Sequence, residues 1–342
     1  MTTLDVVRCL PPGFLEDSLR ADARAGLTSS PKQLPPKWFY DEHGSELFEE
    51  ITRLPEYYPT RAERDILRER APAIAAASGA ETLVELGSGS SEKTRLLLDA
   101  LTGRGSAGGH GSLRLFVPVD VSESALVAAG RAVLAEYPGL SVRAVVSDFE
   151  EHLGLAAAGG GDSGGGSDSG GSGPRLVAFL GGTIGNLFPA ERAAFLSRLR
   201  SEMNNGDALL LGIDLVKDPA TLVAAYDDAA GVTAAFNKNV LTVLNRELDA
   251  DFDPDLFRHL AVWDPGNEWI EMRLRSLAVQ TVKLPAIGLV VSFEQGEEMR
   301  TEVSAKFRRE GIAAELAEAG FSMRHWWTDP DARYGLSLSK PS

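Results

Sequence analysis

Residues 82–94, Thr-Leu-Val-Glu-Leu-Gly-Ser-Gly-Ser-Ser-Glu-Lys-Thr, constrain this chain more than any other stretch. A short apolar strand over 83–86 runs into Gly87-Ser88-Gly89, and a helical pattern follows at once. That order predicts the first βα turn of a doubly wound α/β sheet. Glycine there lets the backbone approach a ligand at the carboxyl ends of the strands. A dinucleotide fingerprint needs a third glycine, and Glu92 stands in its place. A phosphate loop fits Gly87, Lys93 and Thr94, but Glu92 again replaces a required glycine and would set a carboxylate beside phosphates.

The pattern E-x-G-x-G, met by Glu85, Gly87 and Gly89, needs no later glycine and is the first motif of S-adenosylmethionine methyltransferases. An ordinary tight turn without a ligand stays open at this point. The next strands narrow the choice. A second, over 113–119, ends in Asp120, placed to accept ribose hydroxyls. Ser122 is the expected N-cap of a helix running to about residue 137. A third strand, 142–146, leads into Ser147-Asp148-Phe149, a carboxylate for an exocyclic amine beside an aromatic face for a base. A fourth, 176–180, ends in Gly181-Gly182-Thr183-Ile184-Gly185-Asn186. Each acid alone reads as a solvated loop residue; in this order they favour a nucleoside-type ligand.

The 342 residues suggest two domains. A formal net charge of -15 argues against nucleic acid or an anionic membrane as partner, since phosphates demand a basic face. The single cysteine, Cys9, allows no internal disulfide and fits a reducing cytoplasm. No signal-peptide pattern is evident, and no run approaches the roughly 20 apolar residues of a membrane span. The five histidines are scattered, so no metal is expected.

Thr60 and Glu63 read as a capping box opening a helix to about residue 77. Strand and helix then alternate to the apolar strand 208–213. The closing helix (309–320) and hairpin (322–328, 335–339) come only at the end of the chain, so residues 214–306 are an insertion. The expected division is 62–213 plus 306–342 as a Rossmann-like domain, with 1–61 plus 214–305 as a second, α+β domain that binds substrate. Residues 102–112 are glycine-rich, and 158–174 are a flexible Gly/Ser loop by composition.

With these residues in hand, the chain resembles the histidine-specific S-adenosylmethionine methyltransferases of ergothioneine biosynthesis. The resemblance covers about 31–338. It rests on Lys37-Trp38-Phe39-Tyr40-Asp41, Gly44-Ser45-Glu46-Leu47-Phe48, the run 52–61 and the glycine turn. It continues through 179–186, Asp214-Leu215-Val216-Lys217-Asp218, 225–236, Gly296-Glu297-Glu298-Met299, Thr301-Glu302-Val303-Ser304 and 325–330. Gly182 departs from it, standing where a serine is expected.

The resemblance implies Nα-trimethylation of L-histidine to hercynine by a class I methyltransferase, a cytoplasmic monomer using S-adenosyl-L-methionine. By the same resemblance, Glu302 and Ser304 would bond the imidazole, and Asn186 and Tyr226 the α-carboxylate. Tyr40 would lie by the α-amine, with the backbone of Gly181 and Thr183 nearby, and Phe48 and Met272 as walls. Tyr40 and Asn186 are the expected catalytic positions. Tyr57, Gly87, Lys93, Asp120, Asp148 and Phe149 would bind the cofactor. Without the resemblance, Glu302 and Ser304 read as a solvated strand face, Tyr57 as packing and Tyr226 as a half-buried surface residue of a helix. A methyltransferase for another amine, or a cofactor-binding module without turnover, are the alternatives.

Overall fold

The computed structural model describes residues 4–89, 91–104, 111–155 and 173–342. Six strands come first: β1 (Leu4–Arg8), β2 (Thr82–Leu86), β3 (Leu115–Asp120), β4 (Ser141–Val146), β5 (Arg175–Phe179) and β6 (Ala208–Asp214). The insertion holds β7 (Phe257–Asp264), β8 (Trp269–Ser276), β9 (Gln280–Leu284), β10 (Leu289–Phe293) and β11 (Glu298–Ala305). The chain ends with β12 (Phe321–Thr328) and β13 (Tyr334–Pro341).

One sheet has the order β1-β4-β3-β2-β5-β6-β13-β12. β1 to β6 run parallel, and β13 is antiparallel to both β6 and β12. Every residue of β2, β5 and β6 is buried. Helices cover both faces of such a sheet, so its central strands are continuous apolar runs rather than alternating ones. The faces carry separate cores, with Val84, Val117 and Phe179 in one and Leu83, Phe116 and Leu176 in the other. Strand order reverses between β3 and β5 around β2, the switch point at which such sheets bind ligands.

Two expectations change. β1, assigned from sequence to the second domain, instead extends the main sheet: Leu4 pairs with Val142 and Arg8 with Val146. The helix Pro59–Ser78 has Tyr58 at its N-cap with no side-chain cap, and Glu63 is turned inward and buried, so no capping box forms. Ser122 does cap its helix, accepting from the Ala125 N–H at 3.4 Å. Parts of the two glycine-rich segments, residues 105–110 and 158–172, lie outside the described residues.

The insertion forms a three-stranded sheet, β11-β8-β7, and a β9–β10 hairpin. A further core joins it to the N-terminal segment: Leu27, Phe39, Tyr57, Phe236, Met272, Leu274 and Met299 pack together. Residues 32–34 also pair with the free edge of β11, the Leu34 N–H donating to Arg300 O at 2.8 Å. The chain leaves β6 and returns from β11 side by side. There the Phe307 N–H donates to Asp214 O at 2.8 Å, and the Val216 N–H to Phe307 O at 3.1 Å.

Candidate active site

The turn after β2 is held by two N–H groups, Gly87 and Ser88, donating to Val119 O at 2.9 and 3.2 Å. Gly87 has φ 65° and Gly89 φ 48°, the left-handed region that favours glycine. Asp120, ending β3, accepts from the Gly89 N–H at 3.1 Å and the Ser122 N–H at 3.0 Å. Burial raises its carboxyl against these donors. Asp148 accepts from the Glu150 N–H at 2.9 Å through Oδ1, while its buried Oδ2 has no hydrogen-bond partner among the described residues. Lys37, from the N-terminal segment, stands 3.6 Å from that orphaned oxygen. Phe149 packs edge-on against Phe179, with ring centres 5.2 Å apart. A Cβ on Gly87 would lie 3.5 Å from the Phe149 ring.

Lys93 pairs with Glu63, whose Oε1 accepts from the Gly181 N–H at 2.8 Å and the Tyr334 hydroxyl at 2.9 Å. Glu63 therefore ties the ends of β2, β5 and β13 together. Glu85 lies within β2, buried, and bonds Thr94; its other oxygen has no hydrogen-bond partner among the described residues. Burial pushes its carboxyl up to about 7. Folded protein then keeps a proton that the unfolded chain sheds near 4.5, so this contribution is present below pH 4.5 and lost as pH rises to about 7. Its size is on the order of 3 kcal/mol. We expect Glu85→Gln to flatten the stability curve between pH 4.5 and 7, read by urea unfolding; an unchanged slope would refute this assignment.

Gly182 has φ 72° and begins the 3-10 turn Thr183–Asn186. Glycine suits that conformation, which a serine would adopt only with strain. The turn packs on the end of β11: a Cβ on Gly185 would meet Ala305 O at 2.8 Å. Thr183 bonds back to Leu180 O at 3.1 Å. The Asn186 amide makes no hydrogen bond among the described residues.

A β-bulge aims the next two residues. Arg300 pairs with Arg273, but Glu302 pairs with Met272, leaving Thr301 as an extra residue. Met299 faces the core of the second unit. Uninterrupted alternation would turn Thr301 and Val303 to that face and Glu302 and Ser304 away. The shift instead pairs Glu302 with Met272 and Ser304 with Ile270, both core residues.

The bulge is anchored from behind. Thr301 Oγ1 lies 2.6 Å from Asn237 Oδ1 and 3.0 Å from Met272 O. Asn237 Nδ2 is 2.8 Å from His259 Nδ1, and His259 Nε2 is 2.8 Å from Tyr226 O. Burial holds His259 below its ordinary range, so the neutral ring donates from Nε2 and accepts at Nδ1.

Tyr226 ends the helix Pro219–Tyr226. Its hydroxyl lies 2.7 Å from Ser304 Oγ. Buried Lys306 donates to Tyr226 Oη at 2.9 Å, to Ser304 Oγ at 2.7 Å and to Asp214 Oδ2 at 2.9 Å. Tyr226 is thus joined directly to Ser304 and Lys306. Asp214 also accepts from Tyr58 at 2.8 Å and Lys217 at 2.7 Å. Burial opposes the Asp214 charge, but Lys306 and Lys217 outweigh it and hold the carboxyl below its usual range.

Burial pushes Glu302 up to about 7, against the pull of Lys306. Tyr40 is 41% exposed, yet the groups crowding the cleft raise its phenol well above 10, desolvation first and Glu302 next. The Tyr40 ring meets Phe48 edge-on at 5.5 Å, and Phe48 meets Tyr57 at 6.2 Å. Sequence reasoning missed the roles of Lys306, Glu63 and the Asp214 carboxylate. Asp214 and Lys217 did lie in a motif supporting the resemblance; Lys306 carried no local signal. Among the described residues, no group of three or more His, Cys, Asp or Glu side chains could hold a metal ion.

The orphaned Asp148 oxygen beyond β4 and the Asp120 carboxylate ending β3 are acceptors of the kind a nucleoside's amine and hydroxyl donors require, and the parallel sheet closed by an antiparallel hairpin is the fold of a class I methyltransferase. Residues 19–341 match the model of the histidine-specific, S-adenosylmethionine-dependent methyltransferases, and the chain belongs to that family. It is 57% identical to histidine N-alpha-methyltransferase of Mycolicibacterium smegmatis, covering 98% of this chain and 99% of that one. It is 56% identical to the protein of the same name from Mycobacterium tuberculosis, covering 94% of each. Ergothioneine biosynthesis protein 1 of Neurospora crassa is 33% identical, covering 63% of this chain and 23% of that protein.

Proposed function

We propose that this enzyme transfers three methyl groups from S-adenosylmethionine to the α-amine of L-histidine, giving hercynine, the first step of ergothioneine biosynthesis. The observation that carries the reading is the bulge at Thr301, which sets a carboxylate and a hydroxyl, Glu302 and Ser304, on an otherwise apolar face. Imidazole has two ring nitrogens to meet them. A face built to bond those nitrogens rejects analogues that lack them far better than a shape-only pocket does.

The residues divide the work. Asp120 accepts the ribose hydroxyls, and Asp148 the adenine amine, with Phe149 against the base. Gly87, Lys93 and Tyr57 complete the cofactor end. When bound, S-adenosylmethionine supplies an activated methyl group; the protein's part is alignment and exclusion of water. Asn186 donates its free amide to the α-carboxylate beside the backbone of Gly181 and Thr183. Phe48 and Met272 wall the pocket. Tyr40 keeps its proton at neutral pH, so it orients the amine rather than serving as its base. The amine attacks only when neutral, and each of three transfers needs a proton lost first.

The two units proposed are 62–213 with 306–342, joined by β1, and the rest of 1–61 with 214–305. We read the protein as a cytoplasmic monomer; no described helix is long and apolar enough to cross a membrane. Incubation with S-adenosylmethionine and each free amino acid, read by mass spectrometry, should give a gain of three methyls on histidine alone. Turnover of another amine instead would overturn the substrate assignment.

A further inference from the structure

Hydrogen counting around Lys306 constrains the substrate further. An ammonium only donates, and its three contacts are Tyr226 Oη, Ser304 Oγ and Asp214 Oδ2. Both hydroxyl oxygens therefore already accept one bond. Tyr226 and Ser304 also face each other at 2.7 Å, so one of their two hydrogens lies between them. A single hydroxyl hydrogen is left for a ligand. The two hydroxyls cannot both donate, one to the ring and one to the carboxylate.

The direction of the Tyr226–Ser304 bond follows from acidity. A phenol is a stronger donor than an alkyl hydroxyl, and its ring-conjugated oxygen is the poorer acceptor. Lys306 also lies over the Tyr226 ring, 4.6 Å from its centre, which favours donation by the phenol. With Tyr226 donating, Ser304 Oγ accepts from both Lys306 and Tyr226. Its lone pairs are filled, and it can only donate.

Resting on the histidine reading above, we propose that the enzyme binds histidine solely as the neutral imidazole tautomer whose N–H faces an ionised Glu302 and whose bare nitrogen accepts from Ser304. The Lys306–Tyr226–Ser304 triangle acts as a polarity lock: it fixes the proton state of the bound ring and excludes imidazolium. Tyr226 and Lys306 are thereby positioning residues, acting through Ser304.

Other titratable groups leave that count alone. Lys306, Tyr40, Tyr57 and Tyr226 surround Glu302, and the three phenols stay protonated across the neutral range. Behind Lys306, Asp214 stays ionised and Lys217 titrates near 8. His259, behind the Tyr226 backbone, is neutral above its lowered pKa.

The opposite polarity, Ser304 donating to Tyr226, would have Ser304 accept a ring N–H and leave one proton on the ring–Glu302 pair. Proton linkage separates the two. The probe is Nα-trimethylhistidine, whose quaternary nitrogen carries no titrating proton, bound with saturating S-adenosylhomocysteine. Calorimetry in buffers of different ionisation enthalpy counts protons per ligand. At pH 6 we expect between one and two released, because Glu302 and the ring are each mostly protonated when free. At pH 8 we expect almost none exchanged. Uptake of about one proton at pH 8 would overturn the proposed polarity.

Absence of binding at every pH, with S-adenosylhomocysteine still bound, would instead overturn the histidine site itself. Tyr226→Phe frees a lone pair on Ser304 and so lets imidazolium bind; the number of protons released at pH 6 should therefore fall. An affinity loss with an unchanged proton count would mean that Tyr226 only packs.

Discussion

Glu302→Ala is expected to weaken histidine binding about a hundredfold while the affinity for S-adenosylhomocysteine stays within about twofold. Hydrogen bonds to charged groups contribute about 1.5–3 kcal/mol, and a hundredfold loss corresponds to about 2.8 kcal/mol. The upper end is expected because the loss has two parts: the carboxylate bond goes, and the ring N–H is left in a desolvated place without an acceptor. Cofactor binding is spared because its proposed acceptors, Asp120 and Asp148, lie at the end of β3 and just beyond β4 in the main sheet. Discrimination against phenylalanine, which has no ring nitrogens, should shrink in the same variant. Titration calorimetry of each ligand alone checks both halves. Equal histidine affinity would sink the role of Glu302, and loss of both ligands would mark a folding defect.

What could be read from the chain was local. Gly87 and Gly89 mark a turn whose backbone conformation belongs to those residues, and Asp120 and Asp148 follow their strands directly. The strand ends that carry Glu85, Asp120, Asp148 and Gly181 follow one another along the chain and lie on four adjacent strands of one sheet, so the proposed cofactor end was legible from local sequence. The elements that stayed hidden depend on partners far along the chain. β1 is five residues long and finds its place through β4 and the helix that begins at Glu123. Thr60 and Glu63 carried a local capping signal, but Glu63 gains more from Lys93, Gly181 and Tyr334 at the strand ends.

The bulge is the sharper case. Spacing alone showed that Glu302 and Ser304 share a face, but which face depends on one extra residue fixed by Asn237 and the Met272 carbonyl. Lys306 was invisible for the same reason. Its meaning comes from Asp214 at the end of β6 and Tyr226 on a helix, two segments brought together only where the insertion leaves and rejoins the sheet.

That junction carries the other large effect. Asp214→Asn should destabilise the protein by about 3–5 kcal/mol at pH 7, the range seen when one partner of a buried ion pair is removed. Asparagine keeps the shape, so the loss is electrostatic. Lys306 and Lys217 would stand buried near each other with no carboxylate between them. Even with Asp214 present, burial already lowers Lys217 to about 8. In the variant Lys217, without its carboxylate, titrates lower in the folded state than in the unfolded chain, whose lysines titrate near 10.4. Between that lowered folded value and about 10.4 the unfolded state binds more protons, so stability rises with pH there. The deficit should therefore be deepest at and below neutrality and should shrink as pH approaches 10. Urea unfolding of both proteins at pH 7 and 9.5 measures it. A deficit independent of pH would mean that Asp214 acts through packing. One that closes with rising pH would establish the buried pair as the charge anchor of the Tyr226 and Ser304 hydroxyls.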